Sequence, residues 1–105
     1  MILIEQHIDQ ITAICLKRRV KSLWVFGSVL NPLLFNESSD VDLVIEFEKM
    51  DEQDYANNYF TLKEELENTF HHEVDIISPQ FLRNPVFIDH LLNSRKLVYS
   101  KNNIH

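Results

Sequence analysis

The sequence predicts an α/β fold, a mixed sheet packed by helices, and three observations carry that prediction. Short runs rich in Val, Ile and aromatic residues alternate with longer stretches whose apolar residues recur every three or four positions, the pattern of strands exchanged with amphipathic helices. Of 105 residues, 45% are hydrophobic and 25% charged, a globular composition that excludes disorder. A chain of this length suits one domain and should bury roughly 65% of the surface its unfolded form exposes. Residues 1–105 are therefore read as a single folded unit.

Taken in order, Ile4, Ile8, Ile11, Cys15 and Leu16 keep helical spacing from Ile4 to about Arg18, which predicts an amphipathic helix. Ser22 to Phe26 is an apolar, aromatic run ending at Gly27, a buried strand with Trp24 read as core. Asn31-Pro32 and Asn36 to Ser39 mark a loop or broken turn. Val41 to Phe47 is strand-like. Between Asp51 and Phe70, the residues Tyr55, Tyr59, Leu62, Leu66 and Phe70 step by four, three, four and four, a helix with Asp51, Glu52 and Asp54 at the end its dipole favours for acids. Glu73 to Ile77 reads as a strand, Ser78-Pro79 as a helix start, Pro85 to about Leu92 as a short helix, and Lys96 to Ser100 as an edge strand. The sum is a twisted sheet of about four strands with helices against one side.

Several classes fall away. Cys15 is the only cysteine, so no intrachain disulfide framework exists. No apolar run approaches the ~20 residues that cross a bilayer. Met1 to Ile4 runs straight into Glu5 with no basic region before it, unlike a secretory signal, so the expected location is the cytoplasm. Ten Lys and Arg stand against sixteen Asp and Glu, a formal net charge of −6, which argues against general binding of nucleic-acid backbones. Not one Lys or Arg lies between Ser22 and Glu48, while Lys17, Arg18, Arg19 and Lys21 cluster just before that stretch. These four could touch RNA or simply complement the C-terminal dipole of the first helix.

Three features could carry chemistry. The single glycine, Gly27, stands where average usage would predict roughly seven. With Ser28 it follows a strand and precedes a possible helical turn, where backbone amides can approach an anion; Ser28 could equally cap the turn. Asp40 and Asp42, two apart at the head of a strand, share one face and repel, a conflict that Mg²⁺ with its oxygen ligands would resolve. The plainer alternative is a wet polar face, but Leu43-Val44-Ile45 suggests burial on both faces beyond the pair. Asp75 lies between Val74 and Ile76, where an ionised carboxylate is costly without a partner. Should its strand lie beside that of Asp40 and Asp42, three carboxylates meet, a ligand set for two Mg²⁺ ions and phosphoryl chemistry.

Phe26-Gly27-Ser28, eleven intervening residues, Asp40-Val41-Asp42-Leu43, and Asp75 in an apolar strand together resemble the nucleotidyltransferase superfamily that includes DNA polymerase beta. The small size is most similar to its minimal nucleotidyltransferases, often paired with a HEPN-domain toxin. The motifs span Ser22 to about Ile77, and the tail from Ser78-Pro79 through Asn84-Pro85 to Val98-Tyr99 resembles that family's C-terminal end. The resemblance implies the nucleotidyltransferase fold. It implies that Gly27 and Ser28 hold a nucleoside triphosphate, most simply ATP, that Asp40 and Asp42 bind two Mg²⁺ ions, and that Asp75 binds the one activating the acceptor. It further implies transfer of AMP to a hydroxyl of a HEPN-type toxin partner, the chain acting as antitoxin. A non-catalytic antitoxin module of the same fold, or a transferase acting on RNA or a small molecule, are the other readings. Where many relatives carry arginine soon after Gly-Ser, this chain has Val29-Leu30-Asn31; Arg83, Arg95 and Lys96 are cations that could stand in.

Remaining candidates are weaker. His71-His72-Glu73 could be metal ligands, but adjacent side chains on a strand face opposite ways. Cys15 on the apolar helical face is expected to be inert. Leu30, Leu33, Leu34 and Phe35 in a loop would, if exposed together, suit a partner or a second copy of the chain. If Gly27 lets backbone amides approach a triphosphate, Gly27→Ala should cost nucleotide affinity more than folding, the change in stability being only about 0.5–1 kcal/mol where φ is negative.

Overall fold

Leu43, Val44 and Ile45 are each at most 1% exposed, as happens when a strand has neighbours on both edges and cover on both faces. They lie in β2 (Val41–Phe47), an interior strand of a four-stranded sheet. The computed structural model describes residues 2–31, 33–79 and 82–101. The elements are α1 (Ile2–Gln6), α2 (Ile8–Lys17), β1 (Val20–Phe26), a 3₁₀ turn (Gly27–Leu30), β2, α3 (Glu52–Phe70), β3 (Val74–Ile77), α4 (Pro85–Ser94) and β4 (Lys96–Ser100). The sheet order is β3-β2-β1-β4. β1 runs antiparallel to both β2 and β4, whereas β2 and β3 are parallel. A parallel pair needs a long crossover, and α3 supplies it. The helix start expected at Ser78-Pro79 runs into residues 80 and 81, which lie outside the described residues.

Alternation along the strands decides which side chains meet the helices. Leu23 and Val25 of β1, and Val41, Leu43 and Ile45 of β2, join Ile4, Ile11, Cys15, Leu62, Leu66 and Phe70 in one core. Helices α1 to α3 thus cover one face, as expected. The other alternation set, Trp24 and Phe26 on β1 and Asp42, Val44 and Glu46 on β2, faces away from that core. Trp24, expected in the core, is only half-buried, because its position in the alternation puts it on this opposite face.

The single first helix expected from Ile4 onward is two helices. His7 leaves helical geometry at φ −118, ψ 16, and its ring Nδ1 lies 2.9 Å from the Leu3 carbonyl oxygen. Ile4, Ile11 and Cys15 are still buried on both sides of the break. α3 begins where the Asp51 carboxylate accepts the Asp54 N–H at 2.8 Å, and α4 where the Asn84 side chain accepts from Val86 and Phe87 ahead of Pro85. α3 ends on His71 at φ 59, a left-handed cap, and Arg19 before β1 has φ 62. With one glycine in the chain, two of its left-handed turns carry side chains. Among the described residues no helix is long and apolar enough to cross a membrane.

Candidate active site

The Val41 N–H donates to the Glu73 carbonyl oxygen at 2.8 Å, which fixes the starts of β2 and β3 together. Register then sets Asp42 opposite Asp75. Paired residues on neighbouring strands present their side chains to the same face, so the crossover brings together two carboxylates distant in sequence. Asp40 stands two residues before Asp42, just ahead of the strand. Burial first, then the charge of Asp75, then that of Asp40 push the Asp42 carboxyl above its ordinary value. Among the described residues none of the three carboxylates takes part in an ion pair. Asp42 is half-buried and Asp75 exposed. The desolvation cost expected for Asp75 is therefore not incurred, since β3 is an edge strand open to water.

Gly27 follows β1 and ends opposite Asp42, because Phe26 is the Asp42 partner across β1 and β2. Its φ is +78, and a Cβ placed there would lie 2.5 Å from Asp42 Oδ2. Glycine suits the position on two counts, the backbone sign and the carboxylate resting against its α-carbon. The positive φ removes the premise of a small stability cost for Gly27→Ala: an added methyl would strain the turn and push against the Asp42 carboxylate, so a loss of stability is expected beside any loss of affinity. The backbone of Ser28 continues the 3₁₀ turn; its side chain lies outside the described residues.

The donor set fits a hard divalent cation. Carboxylate oxygens are what Mg²⁺ takes, and the Asp42 charge is opposed by two neighbours with, among the described residues, no ion pair against them. Among the described residues, however, no group of three or more His, Cys, Asp or Glu is already placed to hold an ion. The three carboxylates share a corner of the sheet without converging on one point. Nor does either main cavity lie over Gly27. One, of about 510 Å³, is lined by Trp24, Arg95 and charged residues of β1 and β2. The other, of about 450 Å³, is an apolar hollow between α3 and β3, lined by Tyr55, Tyr59, Phe60, Ile76 and Leu82 among others.

Residues 9–104 match the family model described as Polymerase beta, Nucleotidyltransferase. The chain belongs to that family. Solved structures share its fold. A protein assigned as a minimal nucleotidyltransferase is 26% identical, with 88% of this chain and 89% of that chain covered at a TM-score of 0.72. A toxin–antitoxin complex with AMP-PNP is 14% identical, covering 90% of this chain and 73% of that one at 0.65. A tri-AMPylated Shewanella oneidensis HEPN toxin in complex with MNT antitoxin is 12% identical, covering 94% and 74% at 0.58. No curated protein matches the nucleotidyltransferase in sequence. The twisted mixed sheet flanked by helices is the fold these neighbours share.

Other sequence candidates resolve differently. The His72 ring Nδ1 lies 2.8 Å from the Ser39 carbonyl oxygen and the ring tilts on Phe35, while His71 caps α3; the pair is structural. Arg18 binds Glu65 on α3 at 2.5 Å, so the basic cluster is partly spent on packing α2 against α3. Leu30 and Phe35 pack against the core. Leu33 and Leu34 are 94% and 63% exposed, which leaves only half of the expected apolar patch. Sequence reasoning missed the pairing of Arg95 with Trp24, whose guanidinium carbon sits 3.8 Å from the ring centroid. No local spacing signals it, because the two residues come from opposite ends of the chain.

Proposed function

We propose that this nucleotidyltransferase moves a nucleoside monophosphate, AMP from ATP, onto a hydroxyl of a HEPN-type toxin in the cytoplasm and so acts as its antitoxin. The observation that carries the reading is the in-register pairing of Asp42 with Asp75, beside Asp40 and against the Gly27 turn. Family membership supports the transferase class, and the toxin–antitoxin complexes among its structural neighbours support the partner.

In this reading Asp40, Asp42 and Asp75 would hold two Mg²⁺ ions. Bound there, the ions would neutralise charge on the carboxylates, the α-phosphate and the departing pyrophosphate. Gly27 keeps the start of the 3₁₀ turn free of side chain, so phosphate oxygens can approach backbone N–H groups. Asp75, exposed on the edge strand, is the carboxylate that an acceptor hydroxyl can reach, and it can orient or accept that proton. Asp42, drawn against Gly27, ties the phosphate turn to the carboxylates.

A second reading has its own support. The carboxylates do not converge on a point, and no Lys or Arg lies between Ser22 and Glu48; a module that only docks the toxin would need neither. Labelled ATP with Mg²⁺ and a purified HEPN-type toxin separates the two. Label appearing on the toxin, and absent with Asp42→Asn, supports transfer. A stable complex with no label sinks it and leaves the docking module.

A further inference from the structure

Every cation in an ion pair here has a carboxylate of its own: Arg18 with Glu65, Lys21 with Glu46, Lys101 with Glu48. Arg95 does not. Among the described residues its guanidinium makes no hydrogen bond or ion pair, although it is half-buried in the 510 Å³ cavity and lies flat on Trp24. In a chain of net charge −6, a partly buried guanidinium whose donors have no partner keeps its capacity for an anion. The cavity wall is also net positive. Lys21, Lys49 and Arg95 line it against Glu46 and Glu48, and both glutamates already hold a lysine.

The cavity itself stops short of the carboxylate corner, but Trp24, the seat of this cation, shares a sheet face with it. Trp24 and Phe26 project to the same face of β1, with Val44 and Asp42 as their respective partners on β2. One step along that face, about 7 Å at the rise of a strand, separates the Trp24 level from the Asp42 level. Among the described residues no cation pairs with the corner's carboxylates, so none is already placed there to meet the charge of a triphosphate. We propose that Arg95, held on Trp24, is the phosphate-binding arm of this site, with its five N–H donors free for phosphoryl oxygens. The inference rests on the nucleotide reading above for its ligand, a polyphosphate, but not for its geometry. Trp24 gives the guanidinium a rigid seat by cation–π attraction, which lowers the entropy lost when an anion is clamped.

Trp24 is the only tryptophan, so its emission reports on Arg95 directly. The test titrates inorganic tripolyphosphate, and separately ATP with Mg²⁺, into the parent, Arg95→Ala and Arg95→Lys at fixed ionic strength, reading Trp24 emission and equilibrium dialysis. Saturable binding by the parent is expected for both ligands, at least tenfold weaker in Arg95→Ala and intermediate in Arg95→Lys, with melting temperatures close to the parent. Should Arg95→Ala fail to fold, Arg95→Lys decides alone, since it keeps the charge and loses the planar fork. Affinity for tripolyphosphate within twofold of the parent in the variants overturns the arm, as does an emission change that sulfate reproduces at equal ionic strength. Tripolyphosphate binding through Arg95 without ATP binding keeps the arm and removes the nucleotide reading. ATP binding undiminished in the variants does the reverse.

Discussion

Asp42 is held as an anion against its surroundings. Burial and two neighbouring carboxylates raise its pKa on folding, so the native state binds its proton more tightly than the unfolded chain does. That contribution to stability is fully present below the unfolded value and is lost as pH rises through the raised one. At neutral pH without metal, Asp42 therefore weakens the fold. Asp42→Asn should melt higher than the parent in EDTA at pH 7, each ~1 kcal/mol gained reading as about 4–8 °C in a domain of this size. The same variant should lose most of the rise that Mg²⁺ or Mn²⁺ gives the parent, because a ligand bound only by the native state stabilises in proportion to its occupancy. A lower melting point in EDTA would show that the carboxylates do not strain the fold, and an equal response to metal that they hold no ion.

At the scale of elements, α3 is the part that creates the site, since its crossover puts β3 beside β2. Its start depends on the Asp51 carboxylate accepting the Asp54 N–H. Asp51→Ala should cost about 1 kcal/mol, measured by urea unfolding with an unchanged m-value; a loss below a few tenths would mean that water satisfies the N–H as well. This helix was legible in the sequence because Leu62, Leu66 and Phe70 keep its period and acids crowd its first turn. Both faces of β2 were legible too, from Leu43-Val44-Ile45. The break at His7 was not, since Ile4, Ile8 and Ile11 run through it with unbroken spacing and the local bond from the His7 ring leaves no pattern. Nor was the side of the sheet that Trp24 occupies: an aromatic in a strand reads as core until the strand's phase is known. The Asp42–Asp75 register depends on which strands pair, a long-range fact that local composition does not encode. The resemblance implied only that Asp75 shares a site with Asp40 and Asp42.

At the scale of the whole molecule, Cys15 offers a clock for opening. Its side chain is fully buried, and burial pushes the thiol up to about 12, so the nucleophilic thiolate is scarce in the folded state. Alkylation should follow unfolding alone, and labelling of the native chain at the rate of a free thiol would contradict that burial. The clock also reads the order in which the chain assembles. Asp42 and Asp75 are neighbours only through a parallel pairing closed over the full length of α3, the kind of non-local contact that forms late on the way to the native state. An ion that needs both carboxylates finds no site in the transition state, so Mg²⁺ should leave the folding rate unchanged and slow unfolding instead. Under conditions where every opening is trapped, Cys15 labelling would slow with Mg²⁺ by the same factor as the unfolding limb of the chevron. Residence in the native state, rather than speed of reaching it, is what a cation held by a carboxylate pair built across a crossover would control.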